Sequence, residues 1–248
     1  MINLFATLRF NIRAFGLRQG LKFPVYIYGN FKLKNIGKIN IKCPVSRRMI
    51  VIGSNYDMID TSSTVFNNHG TLDIYGKVFI NYGTYISNQG VIVFHGNNII
   101  GNTAEIRISS RLEIGYNTFI GFESRIMDSN MHYVVDVETR QVHRNCSPII
   151  LGNYNWLGSN SYIKRGTVTP DYLIVASPNA LLSKDYSNIP PYTVMAGCPA
   201  RPVKQGIRRI YNFHLEKIIN KYFEQHPDAT FYQIDETADL DSLCTFRF

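Results

Sequence analysis

The chain has 248 residues, 45% of them hydrophobic and 18% charged, with a formal net charge of +8. No apolar run approaches the roughly 20 residues that a bilayer crossing needs, so the length is read as one folded body, within reach of a solenoid with short appendages. The positive charge asks for an anionic partner. The basic residues are scattered, and no RNP-like, zinc-finger or helix-turn-helix pattern accompanies them, which argues against nucleic acid.

Residues 1–30 open with MINLFATLRFNIRAFGLRQG. Arg9 and Arg13 break its apolar stretch, which makes a poor signal peptide and a fair amphipathic helix. Such a segment caps the end of a solenoid; its second reading is peripheral contact with an anionic lipid surface. Residues 31–98 are strand-rich with an imperfect six-residue beat, and 99–203 carry a cleaner one. Aliphatic residues fall at Ile74, Ile80, Ile86 and Ile92, then after an irregular step at Ile100, Ile106 and Leu112, and again at Ile114, Ile120 and Ile126. After an interruption they resume at Leu151, Leu157 and Ile163, with Gly following at Gly115, Gly121, Gly152 and Gly158. Small or polar Thr118, Ser124, Asn155 and Ser161 stand four residues after an aliphatic.

A helix repeats near 3.6 residues and a strand alternates every two, so a step of six fits a short strand plus a bend. Three such units close a triangular coil, and stacked coils bury an aliphatic column that one unit cannot bury alone. The alternative is a β-sandwich, whose turns recur every 8 to 12 residues or so. Residues 204–248 begin with helical spacing at Ile207, Ile210, Tyr211, Leu215, Ile218 and Tyr222, closed by Pro227. That helix is expected to cross the coils. Cys43, Cys146, Cys198 and Cys244 show no CxxC pairing, which reads as free thiols in a reducing compartment, the cytoplasm.

The interruption, residues 127–148, lies within RIMDSNMHYVVDVETRQVHRNCSPIILG. An excursion from a stiff stack sets polar groups beside a rigid edge, where binding and catalytic residues concentrate. His132 is its candidate base, because imidazole titrates near neutral pH and takes a proton from an attacking alcohol. Asp128 and Asn130 either orient that imidazole, bind the acceptor, or form Asx turns. Arg140 is a candidate acceptor or loop-pinning contact, and His143 a solvated loop residue.

The succession RLEIGYNTFIGFESRI, IMDSNMHYV, PIILGNYNWLGSNSYIKRGTV and LLSKDYSNIPPYTVMAGCPARPV resembles the hexapeptide-repeat O-acetyltransferases, over about Ile99 to Lys204. The order of D-x-N-x-H, N-W-L-G and S-K-D…P-P-Y…A-G-x-P-A carries the resemblance further than the hexads. It implies an all-β solenoid: a left-handed parallel β-helix of hexapeptide repeats, with an N-terminal amphipathic segment and a C-terminal α-helix. The left hand comes from the resemblance alone, since parallel crossovers are otherwise right-handed. Asn130 stands where the family has Asp, Tyr133 where Pro often follows the His, and Cys198 where Asn is usual. Thr169–Ser177 also lacks the Ile-Gly beat. Asn130 and Tyr133 bear on the acceptor.

The activity implied is transfer of acetyl from acetyl-CoA to a hydroxyl of a capsule, O-antigen or other envelope sugar, by a homotrimer with no metal. His132 is then the general base and Trp156 the tryptophan beside the acetyl-CoA cleft. Ser177, Lys184, Arg201 and Lys204 belong to the same cofactor site, with Lys164 and Arg165 as further cations for its phosphates. A catalytically silent sugar-binding or scaffold solenoid is the main rival, and an amino sugar or small-molecule alcohol the alternative acceptor. A β-helix carbonic anhydrase needs three His ligands, and His132 and His143 have no close third in the sequence. A nucleotidyltransferase needs a Gly-rich N-terminal domain, which is missing here.

Overall fold

The computed structural model describes residues 1–54 and 62–247. Residues 55–61, inside the segment expected to hold degenerate coils, lie outside the described residues. Successive strands take three sides in turn. Val25–Ile27 starts the first side, Phe31–Asn35 the second and Lys38–Ile41 the third, and Ile50–Ser54 returns to the first. Each strand pairs in parallel with its counterpart one coil away, as Val25 does with Ile50 and Leu72 with Ile92. The exception is Thr193–Ala196 with Arg201–Gln205, an antiparallel pair that ends the first side. The result is a three-sided parallel β-helix.

The irregular step in the six-residue beat is part of the coil. Ile80, Ile100 and Ile120 stack on the first side, and Ile86, Ile106 and Ile126 on the second. The period is therefore 20 residues, made of six, six and eight. The longer third side turns two apolar residues inward in four successive coils: Leu72 and Ile74, Ile92 and Phe94, Leu112 and Ile114, Ile149 and Leu151, all buried. The coil containing Thr169–Ser177 is shorter, since Trp156 pairs with Ile174, and it lacks the beat for that reason. The coils before residue 98 match the later ones in register although their sequence is looser.

Two features of the repeat have local causes. Thr118, Ser124, Asn155 and Ser161 are buried at corners, where an unpaired backbone group would be costly. Asn155 Nδ2 donates to Thr169 Oγ1 at 2.6 Å, Leu173 N–H donates to Asn155 Oδ1 at 2.7 Å, and Ser161 Oγ donates to Gly158 O at 2.7 Å. The glycine after each aliphatic answers to space. A Cβ on Gly121 would lie 2.5 Å from Ser159 N in the next coil. Gly121→Ala is accordingly expected to lower the melting temperature by several degrees, the scale of about 1 to 3 kcal/mol for overpacking, read by circular dichroism.

The N-terminal helix α1, Leu4–Gly20, closes one end of the column. Phe10 meets Phe66 edge-on at 5.4 Å between ring centroids. Asn11 and Thr7 satisfy the open edge of the first strand: Asn11 Nδ2 donates to Val25 O, Val25 N–H to Asn11 Oδ1, and Ile27 N–H to Thr7 Oγ1. An exposed strand edge invites pairing with another chain, and these side chains remove it.

A second compact unit runs from Arg208 to Phe248. Its helix α2, Phe213–Gln225, starts later than the apolar spacing from Ile207 predicts, because Asn212 caps it by accepting from Leu215 N–H at 3.0 Å. Arg208 pairs with Asp241 beside the short helix α3, Leu240–Leu243.

Candidate active site

The excursion leaves after the strand Arg125–Met127 and rejoins at Ile149–Leu151, at the corner between the second and third sides. Read as a polar loop in the sequence, it is a narrow antiparallel arm. Ser129 bridges Cys146 and Val135 bridges Val142, with Asn130 N–H donating to Asn145 O and Asp136 N–H to Gln141 O, each at 2.9 Å. The β-branched run Val134, Val135 and Val137 against Val142 suits that extended form. Asp136 holds the tip by accepting from Thr139 N–H at 2.7 Å and Glu138 N–H at 3.1 Å. Hydrogen bonds from Thr139 hold the Asp136 carboxyl below the usual carboxylate range. This tie is present above the ordinary Asp pKa and is lost as pH falls through the lowered value.

His132 stands exposed in the stem of the arm. Met131 before it takes φ +63°, the left-handed region that non-glycine residues seldom occupy, and its N–H donates to Ser129 Oγ at 3.0 Å. Among the described residues the imidazole has no hydrogen-bond or ion-pair partner. Asn130 and Arg140 are exposed on the same arm, Arg140 at the tip turn, and His143 lies on the returning limb.

Asp128 has a different task from orienting the imidazole or touching an acceptor. It is fully buried and accepts from the backbone N–H groups of Ser109, Ser110 and Arg111 at 2.7, 2.6 and 2.9 Å. Its oxygens are therefore spent on the turn of the preceding coil, and the residue pins the root of the arm.

Against that root, on the second side, lies a small cleft of about 50 Å³ whose lining is part polar, with Ser87, Gln89, Arg107, Ser109 and Ser129, and part apolar, with Ile108, Met127 and Met131. Sequence reasoning missed it. The signal is the 20-residue coil: Ser87, Arg107 and Met127 are stacked partners, as the strand register shows. Arg107 gives the cleft a guanidinium, held over the Tyr85 ring at 4.6 Å and paired with Glu105.

The cofactor candidates fall into two groups. Trp156 pairs with Ile174, Ile174 with Val194 and Val194 with Lys204, so Trp156 and Lys204 lie in one column of the first side. Arg201 lies in the same terminal strand, Arg201–Gln205. Ser177, exposed at the next corner, donates from its hydroxyl to Ser159 O at 2.7 Å. Lys164 and Lys184 belong to the second side, where the Lys184 ammonium sits 5.5 Å from the Tyr186 ring centroid. Arg165 donates to Arg144 O, which ties the arm's returning limb to the coil below. The chain thus brings Trp156, Arg201, Lys204 and Ser177 to one side, and His132 with the cleft to another. Among the described residues no three His, Cys, Asp or Glu side chains are placed to hold a metal ion, and no helix is long and apolar enough to cross a membrane.

No protein-family profile matches the chain, and no curated protein is similar to it in sequence. Solved structures are similar in shape. One is the polySia-specific acetyltransferase NeuO, 18% identical over 81% of this chain and 93% of that one, with a TM-score of 0.47. Another is the polysialic acid O-acetyltransferase OatWY, 20% identical over 79% and 99% of the two chains, with a TM-score of 0.43. A third is AntD, an N-acyltransferase from Bacillus cereus in complex with dTDP and 3-hydroxybutyryl-CoA, 13% identical over 82% and 89%, at 0.41.

Proposed function

We propose that the chain is an acyltransferase that moves acetyl from acetyl-CoA to a hydroxyl of an envelope sugar, with His132 as general base. The observation that carries this is the histidine arm. An exposed imidazole with no partner among the described residues is held on a pinned stem beside a small cleft, and the N-W-L-G and A-G-x-P-A segments follow it on the next coils. His132 takes the proton of the acceptor hydroxyl as its oxygen attacks the thioester carbonyl. The tetrahedral oxyanion collapses, the C–S bond breaks, and the CoA thiolate leaves with the proton that the imidazolium returns. The cleft holding Arg107 is the acceptor side of this reading. An amino group in place of the hydroxyl follows the same steps.

The test is to incubate the full chain with acetyl-CoA and a panel of glycans and nucleotide sugars, reading CoA release and product mass. Release of CoA with one product heavier by an acetyl group is expected. No turnover with any acceptor, amino sugars and small alcohols included, would leave the silent scaffold as the reading.

For the CoA phosphates we assign the exposed cations Lys184, Arg201 and Lys204, of which Arg201 and Lys204 share the first side with Trp156 while Lys184 follows a strand of the second. Phosphate contacts hold ground state and transition state alike, so Lys184→Ala and Arg201→Ala are expected to raise the KM for acetyl-CoA several-fold with kcat within about a factor of two. Rising salt is expected to raise KM in the wild type as well. Unchanged affinity in both variants moves the phosphate site elsewhere.

A homotrimer is part of the proposal. The histidine arm and the Trp156 column sit on different sides of one prism, and a cleft between two prisms brings them together. The arm also exposes apolar surface, Tyr133 at 68% and Val137 at 82%, that a neighbouring copy would cover. Sedimentation is expected to show three chains of 28.4 kDa each; an active, concentration-independent monomer would refute it. The four free cysteines support a reducing compartment, the cytoplasm.

A further inference from the structure

The positive charge is not scattered. Ten of the 26 basic residues and none of the 18 acidic ones precede residue 55, which leaves 16 cations against 18 anions in the rest of the chain. The capped end, helix α1 with the first coil and the turn that follows it, therefore carries ten cations and no anion, and the rest of the chain is slightly negative.

Helix α1 has more apolar surface than a cap uses. Its inner face buries Thr7, Phe10 and Asn11. Helical periodicity puts Phe5, Leu8 and Arg9 on the opposite side, with Leu4 and Arg13 at its margins. Leu4 is 76% exposed and Phe5 75%. Beside the start of the helix lies an open groove of about 280 Å³ lined by Ile2, Leu4, Thr7, Phe23, Tyr26 and Arg47. Exposed apolar side chains and cations thus share the outward face of the helix, next to an apolar groove with an arginine at its rim.

We infer that the capped end rests on an anionic phospholipid surface. Leu4, Phe5 and Leu8 enter the boundary between headgroups and acyl chains, and Arg9, Arg13 and Arg47 face lipid phosphates. Charge decides against a second copy of the same end, because two surfaces carrying only cations repel. Exposed aliphatic side chains decide against nucleic acid, whose backbone offers them nothing to bury into. The arm leaves the fifth coil, four strand spacings or roughly 20 Å from the first coil, so it lies well away from the capped end. This inference does not depend on acyl transfer.

The test uses the full chain and phosphatidylcholine vesicles with and without about 30% phosphatidylglycerol. Wild type is expected to sediment with the anionic vesicles at least about 10-fold more strongly than with the neutral ones, and less so as salt rises. The double variants Phe5→Ser with Leu8→Ser, and Arg9→Glu with Arg13→Glu, are each expected to lose about 10-fold or more of that binding, with wild-type circular dichroism and wild-type turnover on a soluble acceptor. Equal binding to both vesicle types overturns the inference. So does full binding by the serine variant, or single-stranded oligonucleotide binding that ignores it, since either marks a plain polyanion surface. A lower sedimentation coefficient for the serine variant marks the face as a protein interface and overturns it too.

Discussion

Replacing His132 by alanine is expected to lower kcat for acetyl transfer by about 10²- to 10⁴-fold, the range for loss of a general base, with little change in acetyl-CoA affinity or melting temperature. The split follows from the surroundings of the residue. His132 is exposed and has no hydrogen-bond partner among the described residues, so its removal leaves no buried group unpaired. The arm keeps its form through other ties: the buried Asp128 carboxylate at its root, the Asn130–Asn145 backbone bond in its stem and the Asp136 turn at its tip. Asp128→Ala is the contrast. It strands the N–H groups of Ser109, Ser110 and Arg111, so it is expected to lose both stability and activity, whereas His132→Ala loses activity alone. Single-turnover kinetics with calorimetry on the two variants separates a reacting group from a positioning one. Full activity in His132→Ala would move the assignment, His143 on the returning limb being the first place to look.

The solenoid was legible because its inward residues are chemically uniform. Isoleucine, leucine and valine every six residues announce a buried column whatever else the chain does. The coil length was harder to read, because the third side turns two apolar residues inward and a beat of six skips over the extra pair. With the 20-residue period in hand, the outward residues Ser87, Arg107 and Met127 line up as neighbours. Without it they are three unrelated positions far apart in the chain. The arm showed a similar limit. Its place was marked by the break in the beat, but its antiparallel form depends on cross-strand bonds between Ser129 and Cys146 and between Val135 and Val142, which no local pattern specifies.

Asp128 shows why a motif does not fix a role. In D-x-N-x-H it stands one helical turn's distance from the histidine in sequence, which invites a paired function. In the fold the chain turns outward between them. The carboxylate is buried against the turn of the preceding coil while the imidazole is exposed, so the same short motif carries an anchor and the proposed base. The concentration of cations before residue 55 was likewise open to counting, yet it acquires meaning only when α1 and the first coil are seen as one end of a rod.

The column itself makes the second large prediction. Ile120 is fully buried on the first side, stacked between Ile100 and Leu157 within the hydrophobic core. Ile120→Asp places a carboxylate there without a partner, and an uncompensated buried charge costs more than about 4 kcal/mol. That is a large part of the 5 to 15 kcal/mol by which an ordinary domain is stable. Because each coil is held mainly by its two neighbours, the damage is expected to spread along the rod rather than stay local. The variant should therefore lose its cooperative thermal transition, or melt tens of degrees early. Ile120→Val removes one methylene and is expected to cost only about 0.5 to 1.5 kcal/mol, which controls for the site being merely sensitive to any change. Thermal scans of the two variants decide the matter: an Ile120→Asp chain that melts like wild type would mean that Ile120 does not sit in a buried column, and the stacked-coil account of the whole chain would fall with it.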